Sequence, residues 1–151
     1  MRLAGHIFAS LALVVGLALA APSAQADANP RDRLKKHVRD VVQTVKAAPT
    51  AAEKREILDD ELRTMIAALD RAERMANGLS KDDRAGIDAL RARLQEKLDQ
   101  LHGRDGYEAV PDAQLDTFAD YVQQDFERAD NTITLSVTTA LLILILIILL
   151  A

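Results

Sequence analysis

Two histidines, His37 and His102, are the side chains best suited to proton transfer near neutral pH between the hydrophobic ends of this chain. Neither has further metal-ligand residues at a suitable spacing, so each reads as a surface or boundary histidine. Ser80 precedes a helical pattern and reads as its cap. Ser136 lies inside the C-terminal apolar stretch, and neither serine sits in a Gly-x-Ser-x-Gly elbow. Gly103-Arg104-Asp105-Gly106 has spaced glycines but no following Lys-Ser/Thr, which a phosphate loop requires. Asp59-Asp60-Glu61 is an acidic run that a solvated helix face explains. Asp112, Asp116 and Asp120 could gather a divalent cation, but they lack the loop geometry and mixed oxygen ligands of a tight calcium site. Carboxylate pairs can do acid–base work, yet nothing selects one pair from 23 acidic residues. No catalytic, cofactor-binding or metal-ligating residue is therefore assigned, and the expectation is a non-enzymatic protein without a cofactor.

Composition narrows the classes further. The 151-residue chain has no cysteine, which excludes a disulfide framework and thiolate chemistry. Its net charge is −4, and the acidic residues lie between Asp27 and Asp130. There is no basic excess to suggest nucleic-acid binding, and no small-molecule substrate is indicated. Aromatics make up only 3%, so a core must be aliphatic.

The elements that would position these residues are helical. Asn29-Pro30 opens a first helix, with Asn29 as cap, and Leu34, Val38, Val41, Val42 and Val45 share one face. Pro49 ends it near Ala48. Thr50 to Glu53 is a capping box that starts the longest helix, whose Leu58, Leu62, Met65, Leu69, Ala72 and Ala76 form a heptad, coiled-coil-like seam. Gly78 is expected in the left-handed position that closes a helix. Ser80 and Asp83 open a third helix with Ile87, Leu90, Leu94, Leu98 and Leu101 inward, closed by Gly103. The short link between the second and third helices implies an antiparallel hairpin. A loop over 104–110, with Gly106 and Tyr107, precedes Pro111 and Asp112. The fourth helix then turns Leu115, Phe118, Val122, Phe126 and Ala129 inward, with the tyrosines at the rim of the core. The fold class is all-α: a small up-and-down helical bundle, or an extended helical hairpin, with a C-terminal transmembrane helix.

Charge is uneven. Asp27 to Ala48 carries six basic residues against three acidic ones; Arg104 to Thr132 carries two against eight. Arg31, Lys35 and Arg39 share a face of the first helix, and Asp112, Asp116 and Asp120, continued by Glu127 and Asp130, line the fourth. First and last helices of a four-helix bundle are neighbours, so these faces should meet. A basic first helix could instead touch anionic lipid or cell-wall polymer.

The two ends set the expected location. Residues 1–26 have the layout of a signal peptide: Arg2, an apolar stretch from Ile7 to Ala20, and Ala24-Gln25-Ala26 before the cut. An uncleaved anchor is the alternative. The exported helical domain would cover 27–131 and the transmembrane helix 132–151. Ile133 to Ala151 is uncharged and as a helix would be about 28 Å long, close to the ~30 Å of a bilayer's hydrocarbon. Nothing between Asp130 and Ile133 predicts a break, so the fourth helix is expected to run on into it. A helix apolar on every side could be a buried core helix, but that requires a larger protein around it.

The expected function is that of a membrane-anchored extracytoplasmic interaction or scaffold protein, single-pass in the cytoplasmic (inner) membrane with its domain on the periplasmic side. Its partners would be the membrane, through the C-terminal helix, and another envelope protein or a second copy of itself. The alternative is a surface protein whose tail is a GPI-type processing signal: Ala129-Asp130-Asn131, a polar spacer, then an apolar end. An exported helical chaperone or stress sensor is a further alternative.

Overall fold

The structure, a computed structural model, describes residues 29–75 and 77–151. The signal-peptide segment 1–26 lies outside the described residues. All regular structure among the described residues is helical.

α1 (Pro30–Ala47) begins where Asn29 Oδ1 accepts the amide N–H of Arg31 at 3.1 Å. It stops at Ala48, which is extended (φ −64°, ψ 134°), the conformation that a following proline favours. α2 (Ala51–Met75) is capped by Thr50, whose hydroxyl accepts the Glu53 amide at 3.2 Å. α3 (Lys81–His102) is capped by Ser80 in the same way and closed by Gly103 at φ 68°. Gly103 is doubly constrained, since a Cβ there would lie 2.6 Å from the Ala109 nitrogen. Gly78, by contrast, does not take the expected left-handed conformation; among the described glycines only Gly103 and Gly106 do. After the loop, a 3-10 turn (Asp112–Gln114) leads into α4 (Leu115–Thr132).

α1 to α4 form the up-and-down bundle, with α1 against α2 and α4, and α2 against α3. The inward stripes close into one aliphatic core. Leu34, Val38, Val42, Val45, Leu58, Leu62, Met65, Leu69, Ile87, Leu94, Leu98, Leu101, Leu115, Phe118 and Phe126 are all buried. Each large aliphatic side chain so buried contributes about 1.5–3 kcal/mol relative to exposure. Val41 is only partly buried.

Side chains fix the loop ends. The Arg55 guanidinium donates to the carbonyls of Leu101 (2.8 Å) and Val110 (2.6 Å) and to Asp112 (3.0 Å). One residue of α2 thereby satisfies an unpaired carbonyl at the end of α3 and holds the loop that leads to α4. Between α3 and α4, Lys97 is 3% exposed; its ammonium lies 3.4 Å from Asp125 and 4.5 Å above the Tyr121 ring, and donates to the Tyr121 hydroxyl at 3.2 Å.

The C-terminal segment departs from expectation. α4 does not run on: it ends at Thr132, and Ile133 is extended (φ −97°, ψ 124°). The β-branched run Thr132-Ile133-Thr134 lowers helix propensity, and Ser136 restarts the chain as a cap by accepting the Thr139 amide at 3.2 Å. The new helix, α5 (Val137–Leu150), has 14 residues and spans about 21 Å. It replaces the single helix expected over 132–151. No helix among the described residues is long and apolar enough to cross a membrane. α5 lies instead along the groove between α1 and α2, adding Ile143, Leu144, Leu146 and Ile147 to the core cluster. The small bundle can take up this helix because it covers only one of its sides.

Candidate functional site

α5 has apolar side chains on both faces, but only one is covered. Thr139, Ala140, Ile143, Leu144, Leu146 and Ile147 are buried. Val137, Leu141, Ile145, Ile148 and Leu149 recur at spacings of four, four, three and one and form an exposed ridge. Ile148 is 64% and Leu149 74% exposed. Single exposed apolar residues are ordinary, whereas a contiguous row along a whole helix marks a contact surface. At the far end of α5, Leu150 and Ala151 border a shallow depression with Ile57, Asp60, Glu61, Arg63 and Thr64 of α2.

The start of α5 is held by three contacts on residues 134–136. The Ser136 amide donates to Asp83 Oδ1 at 2.6 Å, while the Ser80 hydroxyl donates to Asp83 Oδ2 at 3.0 Å. Asp83 is thus the link between the N-termini of α3 and α5. Burial opposes its ionisation, but the hydrogen bonds from Ser136, Ser80 and Thr139 outweigh that and hold its carboxyl below the usual range. The Arg31 guanidinium donates to the Leu135 carbonyl. Gly86 of α3 faces the same crossing: a Cβ there would sit 2.5 Å from the Thr134 carbonyl oxygen and 2.9 Å from Leu135 Cδ2.

The residues singled out for chemistry are not gathered into one centre. His37 Nε2 lies 2.5 Å from Glu61 Oε1, tying α1 to α2. His102 pairs with Asp59, tying α3 to α2. Asp59 also accepts from Arg63 at 2.7 Å. Burial works against the Asp59 carboxylate, yet the bonds from Arg63 and His102 keep its pKa low. Ser80 and Ser136 are both helix caps. Among the described residues, no group of three or more His, Asp or Glu side chains could hold a metal ion.

The acidic stripe meets the basic residues of α1 over only part of its length. Asp130 pairs with Lys35 at 2.7 Å, Glu127 with Arg39 at 3.6 Å and Asp120 with Lys46 at 2.6 Å. Further along, Asp116 and Asp112 turn to Lys54 (2.6 Å) and Arg55 (3.0 Å) of α2. Arg31 leaves this ladder for the Leu135 carbonyl. Exposed pairs of this kind are worth about 0–1 kcal/mol each, so their main effect is to choose which helices are neighbours.

His37 gives the bundle a pH response. The hydrogen bond to Glu61 raises the His37 pKa against the opposing effect of burial, with Asp40 and Glu61 charges adding to the rise. A group whose pKa is raised on folding stabilises the fold below its unfolded pKa of 6.5 and loses that contribution as pH rises through the folded value. Urea midpoints should therefore fall as pH climbs from below 6.5 through the raised value. His37→Gln should flatten that slope; an unchanged slope would show that another group sets it.

Gly86 and the Lys97–Asp125 pair are not legible in the sequence, which marks Asp83 only as the partner of Ser80 at the start of α3 and not as the acceptor of the Ser136 amide. The available signals were a glycine inside a helical pattern and Ser136 three residues before Thr139. No protein-family model, curated protein or solved structure matches the chain, so the reading rests on its own residues.

Proposed function

We propose that this chain is an exported, non-enzymatic helical interaction module attached to a membrane through α5, with α1 to α4 held at the extracytoplasmic surface. The observation that carries this reading is the exposed ridge Val137, Leu141, Ile145, Ile148 and Leu149 on an uncharged helix. Such a ridge contributes nothing to stability in water and gains by burial in the acyl boundary of a bilayer. The export layout of residues 1–26 delivers the chain to that surface.

Flotation with phosphatidylethanolamine–phosphatidylglycerol vesicles tests this. Leu141→Ser, Ile145→Ser and Ile148→Ser combined leave the buried face intact and should reduce vesicle partitioning by about tenfold or more. Equal flotation of wild type and variant would refute attachment through the ridge. A dimer lost in the variant, with no vesicle binding by either protein, would instead assign the ridge to self-association.

A further inference from the structure

We infer that the break at Ile133–Ser136 is a releasable latch: closed, it keeps the tail as a short helix docked on the bundle; open, it lets Ile133 to Ala151 become one continuous helix that enters a bilayer. This rests on the attachment reading above and adds the mechanism by which attachment occurs.

Helix length separates the two states. Docked α5 has 14 residues and reaches about 21 Å, well short of the ~30 Å of bilayer hydrocarbon. Rejoining Ile133 to Ser136 would extend the helix to about 28 Å without recruiting a single charged residue. The break alone decides between a helix that cannot span and one that nearly does.

Contacts from α1 and α3 hold the break. In water its extended backbone is satisfied from outside the tail: Asp83 accepts the Ser136 amide, Arg31 donates to the Leu135 carbonyl, and Gly86 leaves room for Thr134 and Leu135 against α3. In a continuous helix the Leu135 carbonyl would bond to the Thr139 amide, the Ser136 amide would bond to the Thr132 carbonyl at the end of α4, and the hydroxyls of Thr134, Ser136, Thr138 and Thr139 could bond to preceding carbonyls. The Ser136 amide and the Leu135 carbonyl therefore have a partner in either state. Asp83 would keep its hydrogen bond from Ser80.

The composition of α5 matches lipid. A helix docked through one side needs one apolar side, yet the outward residues of α5 are as apolar as the inward ones. Lipid is the occupant that matches a helix apolar all round; a protein groove would account for the ridge alone. The bundle can release it, since α1 to α4 supply most of the shared core, Leu34, Leu62, Leu94 and Phe126 among them.

The natural chain lacks tryptophan, so single tryptophans can report depth. Ile148→Trp places a probe on the exposed ridge and Leu144→Trp places one on the buried face. With brominated phosphatidylglycerol vesicles, release predicts quenching of both. Quenching of Ile148→Trp alone would overturn release while leaving attachment intact; quenching of neither would overturn attachment itself. Asp83→Asn weakens the latch and should raise the quenched fraction of Leu144→Trp about tenfold at limiting lipid. Should Leu144→Trp misfold, amide exchange of the wild-type chain decides: on adding vesicles, exchange in α1 and α2 should accelerate as α5 leaves its groove, and unchanged exchange there would contradict release.

Discussion

Gly86→Ala is expected to destabilise the protein by about 1–3 kcal/mol, the usual cost of forcing extra volume into a close contact. The sign is informative. In an ordinary helix interior the same change stabilises by about 0.5–1 kcal/mol, because alanine has the better propensity. Here the new methyl would meet the Thr134 carbonyl oxygen, which is backbone and cannot swing aside. The loss should be confined to the docking of α5 and its linker, with α1 to α4 retaining their cooperative unfolding. Urea denaturation gives the magnitude and amide exchange gives the location. A stabilised variant would mean that the linker does not cross α3 at Gly86.

Asp125→Ala should be the most damaging single change among the ion pairs, while Lys97→Met should be close to neutral. Lys97 is 3% exposed and is held by Asp125 and the Tyr121 ring and hydroxyl, with the half-exposed Glu96 carboxylate farther off at 4.0 Å. Removing Asp125 leaves a buried ammonium short of its counter-charge. Such breaks cost about 3–5 kcal/mol when fully buried, and the partial exposure of Asp125 lowers the expectation to about 2–3 kcal/mol. Lys97→Met removes the buried charge instead, fills similar volume, and leaves Asp125 its contact with Arg93 at 3.3 Å. A midpoint shift below about 1 kcal/mol is expected. Equal losses from both variants would argue that the pair acts through attraction rather than through the cost of an unpaired charge.

Local chemistry made the bundle legible in the sequence. Asn29, Thr50, Ser80 and Gly103 act at the ends of α1, α2 and α3 as expected, and the stripes from Leu34 to Ala129 mark the faces that are buried. The charge asymmetry likewise foretold that α1 and α4 are neighbours, since Lys35, Arg39 and Lys46 find Asp130, Glu127 and Asp120. Three things depended on contacts between distant parts of the chain and were not legible. The break after Thr132 is sustained by Asp83 and Arg31, far away in sequence. Gly86 in a helical pattern gives no hint of what crosses it. The uniform apolarity of the tail cannot indicate which of its sides a bundle will cover, because periodicity is the signal for a buried face and this segment has none. Gly78 shows the limit of a purely local rule, since the α2–α3 turn is made without a left-handed glycine there.

The central claim is that in water the tail is a docked fifth helix with a latched start. Amide hydrogen exchange of residues 133–151 in the lipid-free protein tests it most directly. An undocked helix of 14 residues is marginal in water, so strong protection there can come only from packing against α1 and α2. Slow exchange is expected from Ala140 to Leu150, with a protected Ser136 amide and loss of that protection in Asp83→Ala. Exchange of the whole tail at free-peptide rates, while α1 to α4 remain protected, would contradict it.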